Sequence, residues 1–130
     1  MKRYVREEDS SRVARWLAAG TAATARLSAV EVASALARRC REGAFPPAER
    51  DRALAALELD LNALRTVELS TPVVLEARAL LVRHPLRTGD AIQLASALLL
   101  RRELGEPVTF AAYDDRLKAA AKAEGLVVVP

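Results

Sequence analysis

Leu86-Arg87-Thr88-Gly89-Asp90-Ala91-Ile92-Gln93-Leu94-Ala95-Ser96-Ala97-Leu98 is the stretch whose reading decides the fold. Beyond Thr88, the residues Ala91, Ile92, Leu94, Ala95, Leu98 and Leu99 cover most of a helical surface. The spacing therefore predicts a helix buried on more than one side. Pro85 disfavours helical backbone at the residue before it and separates this helix from the one upstream. Thr88 is the expected N-cap. Asp90 puts one carboxylate into the first turn of an otherwise apolar helix. Taken alone it needs no role beyond complementing the positive end of the helix dipole, worth a few tenths to about 1 kcal/mol.

A helix this apolar needs a core around it, and the rest of the chain can supply one. The sequence has 130 residues, 52% of them hydrophobic, enough for a single domain over residues 1–130. Formal charge is +3 and the pI is about 9.5, a mild basic bias compatible with nucleic acid. Most of the basic residues are Arg, which suits planar bidentate contacts, although a GC-rich genome gives the same bias. Cys40 is the sole cysteine. It rules out an internal disulfide and fits a reducing, cytoplasmic setting. One His and one Cys nearly exclude a zinc site. No stretch is apolar and long enough to span a membrane, and no signal peptide is expected.

Outward from the central stretch, strands and helices alternate. Upstream, Asp9 or Ser10 can cap a helix over residues 11–19 that Gly20 ends, and residues 21–27 can form a strand. Ser28 is the expected cap of a helix running to about Arg41, with Val32, Ala33, Leu36, Ala37 and Cys40 inward. Pro46-Pro47 opens another helix, with Leu54, Leu57, Leu61 and Leu64 at spacings of three and four. Residues 66–69 read as a strand. Thr71-Pro72 starts a helix carrying Val74, Leu75, Leu80 and Leu81 that ends near His84-Pro85. Downstream, Gly105 to Pro107 is a turn and Val108 to Tyr113 a strand. Asp114 caps a last helix to Glu124, and Leu126 to Val129 reads as a buried strand. This alternation predicts an α/β fold with a mostly parallel sheet.

Three acids fall at helix starts. Glu31 stands three residues after Ser28 in a capping-box pattern, Asp114 is a plausible N-cap, and Asp90 faces its helix dipole. Each has an adequate structural reading alone. Together they suggest a site, because parallel α/β sheets bind ligands at the carboxyl edge of their strands. Carboxylates converging there would repel one another, and a divalent cation removes that conflict. Oxygen ligands without Cys or His favour Mg²⁺ or Mn²⁺, and such a centre suits phosphodiester hydrolysis. Glu31, Asp90 and Asp114 are therefore the candidate catalytic and metal-ligating residues. Asp115, Arg87 and Ser28 are accessory candidates, Arg87 as a phosphate contact. The remaining acids read as solvated or paired with nearby Arg. His84 reads as a surface or helix-capping residue.

These segments resemble a known family. Leu27 to Leu36 around Glu31 is similar to the second acidic motif of PIN domains. Leu86 to Ala95 around Asp90 resembles the third, and Phe110-Ala111-Ala112-Tyr113-Asp114-Asp115-Arg116-Leu117 the fourth. An Ala-rich helix and a Gly-Leu-Val-Val-Val ending follow. Within that family the likeness is to VapC-type toxins of bacterial toxin–antitoxin pairs, over nearly the whole chain. The resemblance implies a three-layer α/β/α sandwich and a Mg²⁺- or Mn²⁺-dependent endoribonuclease. It also implies RNA as substrate, a homodimer, a cognate antitoxin partner and no membrane. Two departures stand out. The family's first strand, with its first catalytic Asp, has no counterpart: Met1-Lys2-Arg3-Tyr4 aligns just after that Asp. Ala112 also replaces the Ser or Thr usual two residues before the last motif's Asp. The expectation is a misassigned start, with a GTG valine codon read as the initiator Met and the missing strand encoded upstream. The alternative function is a catalytically impaired PIN-like module that binds RNA or protein.

Overall fold

A computed structural model of the chain describes residues 23–112 and 114–129. The helix expected over residues 11–19 lies outside them. Five helices are described: α1 (Leu27–Arg41), α2 (Pro47–Ala63), α3 (Thr71–Arg83), α4 (Thr88–Leu104) and α5 (Asp115–Ala123). Four short strands accompany them: β1 (Ala23–Ala25), β2 (Arg65–Val67), β3 (Thr109–Ala111) and β4 (Val127–Val129). β1 pairs with β2 and β3 with β4. The chain divides into two compact units, residues 1–66 and 67–130.

In the first unit, α1 and α2 bury Val32, Leu36 and Leu57 against one another, with Phe45, Ala53, Leu54 and Leu61 half-covered around them. Pro47 at the first helical position starts α2, where its missing N–H costs nothing. Gly43, at φ +84°, turns the chain beyond α1, a conformation side chains resist. The expected cap at Ser28 is not found. Arg26 already has helical backbone angles and Leu27 opens the helix, without a side-chain cap. Ser28 Oγ instead accepts the Thr24 hydroxyl at 2.8 Å. The capping box with Glu31 falls with it, since Glu31 sits beyond the first turn.

In the second unit, α4 is the central element. Ala91, Leu94 and Ala95 are completely buried, Leu98 is nearly so, and Ser96 and Leu100 are buried as well. Coverage thus extends over more than one face, as its composition requires. Ser96 satisfies its hydroxyl on the Ile92 carbonyl at 2.7 Å, so its burial leaves no unpaired donor. Val73, Ala77 and Leu80 of α3 and Leu117, Ala120 and Ala121 of α5 complete the same core. Their spacing differs from the expected α3 pattern. The buried stripe runs Val73–Ala77–Leu80, while Val74, Leu75 and Leu81 of the expected set are exposed. Ser70 caps this helix, its Oγ accepting from the Val73 amide at 3.4 Å, and Thr71 is the first helical residue.

The segment β3–α5–β4 is a parallel strand–helix–strand unit, with Thr109, Phe110 and Ala111 opposite Val127, Val128 and Val129. The Ala112 amide extends the pairing to the Val129 carbonyl at 3.3 Å. β4 is less covered than its sequence suggests: Leu126 before it is buried, yet Val127 is 57% exposed. Helices alternating with short strands, the last pair parallel, place the chain in the α/β class and agree with a three-layer α/β/α arrangement. No described helix is long and apolar enough to cross a membrane.

Candidate active site

Asp90 and Asp114 are both set at helix starts in the second unit. Thr88 is not the cap of α4. Arg87, with extended backbone angles, holds that position, and its carbonyl accepts the Ala91 amide at 2.9 Å. The first helical bond thus closes one residue earlier than a cap at Thr88 would give. Asp90 becomes the third helical residue, still inside the turn where the dipole favours a carboxylate. It is half-buried, whereas Arg87 is exposed.

Asp114 stands just past the carboxyl end of β3. It caps α5 as its sequence suggests, with Oδ2 accepting the Leu117 amide at 2.9 Å. One carboxylate oxygen is therefore committed to the backbone, which fixes the side chain's direction. Asp115 follows in the first turn and is exposed. Glu31 and Ser28 lie on α1 in the first unit, with Glu31 exposed and Ser28 half-buried. Among the described residues, no three His, Cys, Asp or Glu side chains form a group that could hold a metal ion. Asp90 and Asp114 thus share a unit, while Glu31 belongs to the other.

A polar node that no local pattern singles out lies at the far end of α5. Glu124 receives Arg83 Nε and Nη2 at 3.1 Å each, and His84 Nε2 stands 2.7 Å from its Oε2. Arg101 Nη1 donates to the Glu124 main-chain carbonyl at 3.0 Å. The ends of α3 and α5 and the last turns of α4 are tied to one residue. Local patterning could not reveal it, because Glu124 lies 40 positions from His84. His84, and secondly Arg83, hold the Glu124 carboxyl below the usual carboxylate range. A depressed folded-state pKa contributes stability that is present above the unfolded value of about 4.3 and is lost as pH falls through the folded one. Stability of the chain should therefore decline below about pH 4, and Glu124→Gln should flatten that decline. Chemical denaturation of both proteins across the acid range checks this. Parallel curves would show that the node contributes nothing to acid sensitivity.

Asp90 and Asp114 stand at the starts of two helices, Asp114 beyond a parallel strand, in an α/β protein. The PIN domain family model matches residues 3–123, and the chain belongs to this family. Two relatives from Mycobacterium tuberculosis strains, Ribonuclease VapC45 and Ribonuclease VapC49, are each 37% identical to it over 121 residues. Each alignment covers 88% of this chain and 78% of the relative.

Proposed function

We propose that the chain is a nuclease of the PIN type: a divalent-metal-dependent endoribonuclease that hydrolyses RNA phosphodiester bonds as the toxin of a type II toxin–antitoxin pair. The observation that carries this is the placement of Asp90 and Asp114 at helix starts of one compact unit within a PIN chain. The names of the two relatives, both called ribonucleases, support the substrate class, and the toxin role rests on the motifs' likeness to VapC-type toxins.

The donors fit a hard cation. All three proposed ligands, Glu31, Asp90 and Asp114, offer carboxylate oxygen, which suits Mg²⁺ or Mn²⁺ better than zinc. Mg²⁺ in particular binds through as few as one or two carboxylates and keeps several waters. Bound there, the cation supplies an activated water and neutralises charge on the phosphate. The protein's own part is positional. The Leu117 amide orients Asp114, and Asp90 is carried by the first turn of α4. Arg87, exposed beside Asp90, offers a guanidinium to a phosphate oxygen. Asp115 and Ser28 are accessory groups. A cognate antitoxin, a homodimer, a cytoplasmic setting and a single domain complete the reading.

The test is Mn²⁺- or Mg²⁺-dependent cleavage of a mixed single-stranded RNA pool, with a chelator control. Metal-independent silence alongside RNA or protein binding would favour the binding-module alternative. Asp114 provides a finer check, because its cap can be kept while its charge is removed. Asn caps as well as Asp, so Asp114→Asn should leave stability within about 0.5 kcal/mol and still lose cleavage. Asp114→Ala should lose cleavage and about 1 kcal/mol of stability as well. An Asn variant that cleaves like wild type would reduce Asp114 to a cap.

A further inference from the structure

We propose that the cleft between the α3–α4 turn and the first two turns of α5 is a nucleobase subsite, taking one unstacked base of single-stranded RNA. The inference rests on the nuclease reading and deepens it. The cleft has a volume of about 340 Å³ and is lined by His84, Pro85, Asp115, Arg116, Ala119 and Ala120. That lies at the small end of ligand pockets, roughly 300–1,000 Å³, and suits one planar ring with its sugar.

The lining divides in a way that fits a base. Pro85, Ala119 and Ala120 give the lining its apolar part, and none carries a long side chain that would fill it. His84 contributes an aromatic ring whose orientation is fixed by Glu124 at 2.7 Å. A preorganised ring of this kind stacks a base without first losing rotamer freedom. Arg116 is exposed and makes no ion pair among the described residues. Its planar fork can donate to ring nitrogen or carbonyl acceptors at a base edge. Asp115 offers an acceptor beside it, which repels a phosphate but pairs with an exocyclic amine. An acceptor next to a donor fork favours amine-bearing bases over uracil. Sequence-specific proteins read single-stranded RNA by this combination of stacking and edge contacts. Asp115 directly follows Asp114, so the cleft adjoins one of the proposed metal ligands in the chain. A base seated there belongs to a nucleotide near the scissile bond.

The experiment compares wild type, Arg116→Ala, His84→Ala and His84→Phe. Cleavage of a random single-stranded RNA pool in Mn²⁺ is mapped by sequencing, and binding of a short RNA is measured by fluorescence anisotropy in chelator. Arg116→Ala should raise KM and Kd about tenfold, the effect of losing one edge contact of about 1.4 kcal/mol. It should change kcat far less and flatten the preference at one position beside the cut. His84→Ala should act similarly, whereas His84→Phe, which keeps the ring face, should retain most of the affinity. Thermal melts identify any variant that fails through misfolding, and Arg116→Lys, which keeps charge but loses the fork, then stands in for Arg116→Ala. Cleavage with unchanged KM and unchanged preference in these variants overturns the subsite and leaves the nuclease reading intact. Binding that weakens in the variants of a wild type that does not cleave supports the subsite and removes the nuclease reading. Absence of RNA binding by wild type overturns the subsite.

Discussion

Asp90→Asn should lower metal-dependent RNA cleavage by about 100-fold or more, while the protein stays folded. Replacing a residue that merely orients a metal ligand typically costs about 10–100-fold in affinity or activity, so removing a ligand's charge should reach at least the top of that range. The substitution keeps the side chain's size and one carbonyl oxygen at the third residue of α4 and removes its charge. If Asp90 only complements the helix dipole, the loss is confined to about 0.3–1 kcal/mol of stability and cleavage is untouched. Single-turnover cleavage in Mn²⁺ and a urea midpoint, measured on the same preparation, separate these outcomes. Wild-type turnover in the Asn variant would remove Asp90 from the site. A second readout sharpens the first. The Mn²⁺ concentration for half-maximal cleavage should rise in any residual activity, because a lost ligand weakens metal binding before it weakens RNA binding.

The parts of this fold that could be read from sequence are those where one local force dominates. The α4 stretch is apolar around most of its circumference, and no arrangement except burial suits it. Proline at the first position of α2 and aspartate before α5 act within one turn, and both start helices where expected. Errors arose where two local choices compete. Ser28 could cap a helix or accept a hydroxyl, and Thr24, four residues earlier, decides it. Thr88 is a good capping residue, but it takes the first helical position and Arg87 the cap. On α3, apolar residues occupy both the stripe that packs and the one that does not, so periodicity could not choose between Val73 and Val74. Of the candidate site, the placement of Asp90 and Asp114 at the starts of α4 and α5 was legible from helix-start chemistry. The Glu124 node was not, because its partners meet only through tertiary packing.

Leu94→Ala should be the most damaging core substitution, at about 3–5 kcal/mol. Leu94 is completely buried in α4, and truncating it loses the transfer energy of its side chain and leaves a cavity. How much of that cavity closes sets the cost. The residues that share this core include Ala77, Ala91, Ala95, Ala120 and Ala121, whose methyl side chains cannot swing into a void. The cost should therefore fall in the upper half of the usual range for leucine, a large share of the roughly 5–15 kcal/mol that holds a typical domain together. Val82→Ala on α3, where the side chain is 89% exposed, should change stability by under about 0.5 kcal/mol. Urea denaturation of the two variants beside wild type measures the contrast, and a Leu94→Ala cost under about 1 kcal/mol would mean that the core repacks freely. The same variant also separates support of the site from membership in it. Because α4 carries Asp90 in its first turn, Leu94→Ala should lose cleavage in step with its unfolded fraction and recover it at low temperature. The loss in Asp90→Asn should persist at every temperature at which the protein is folded.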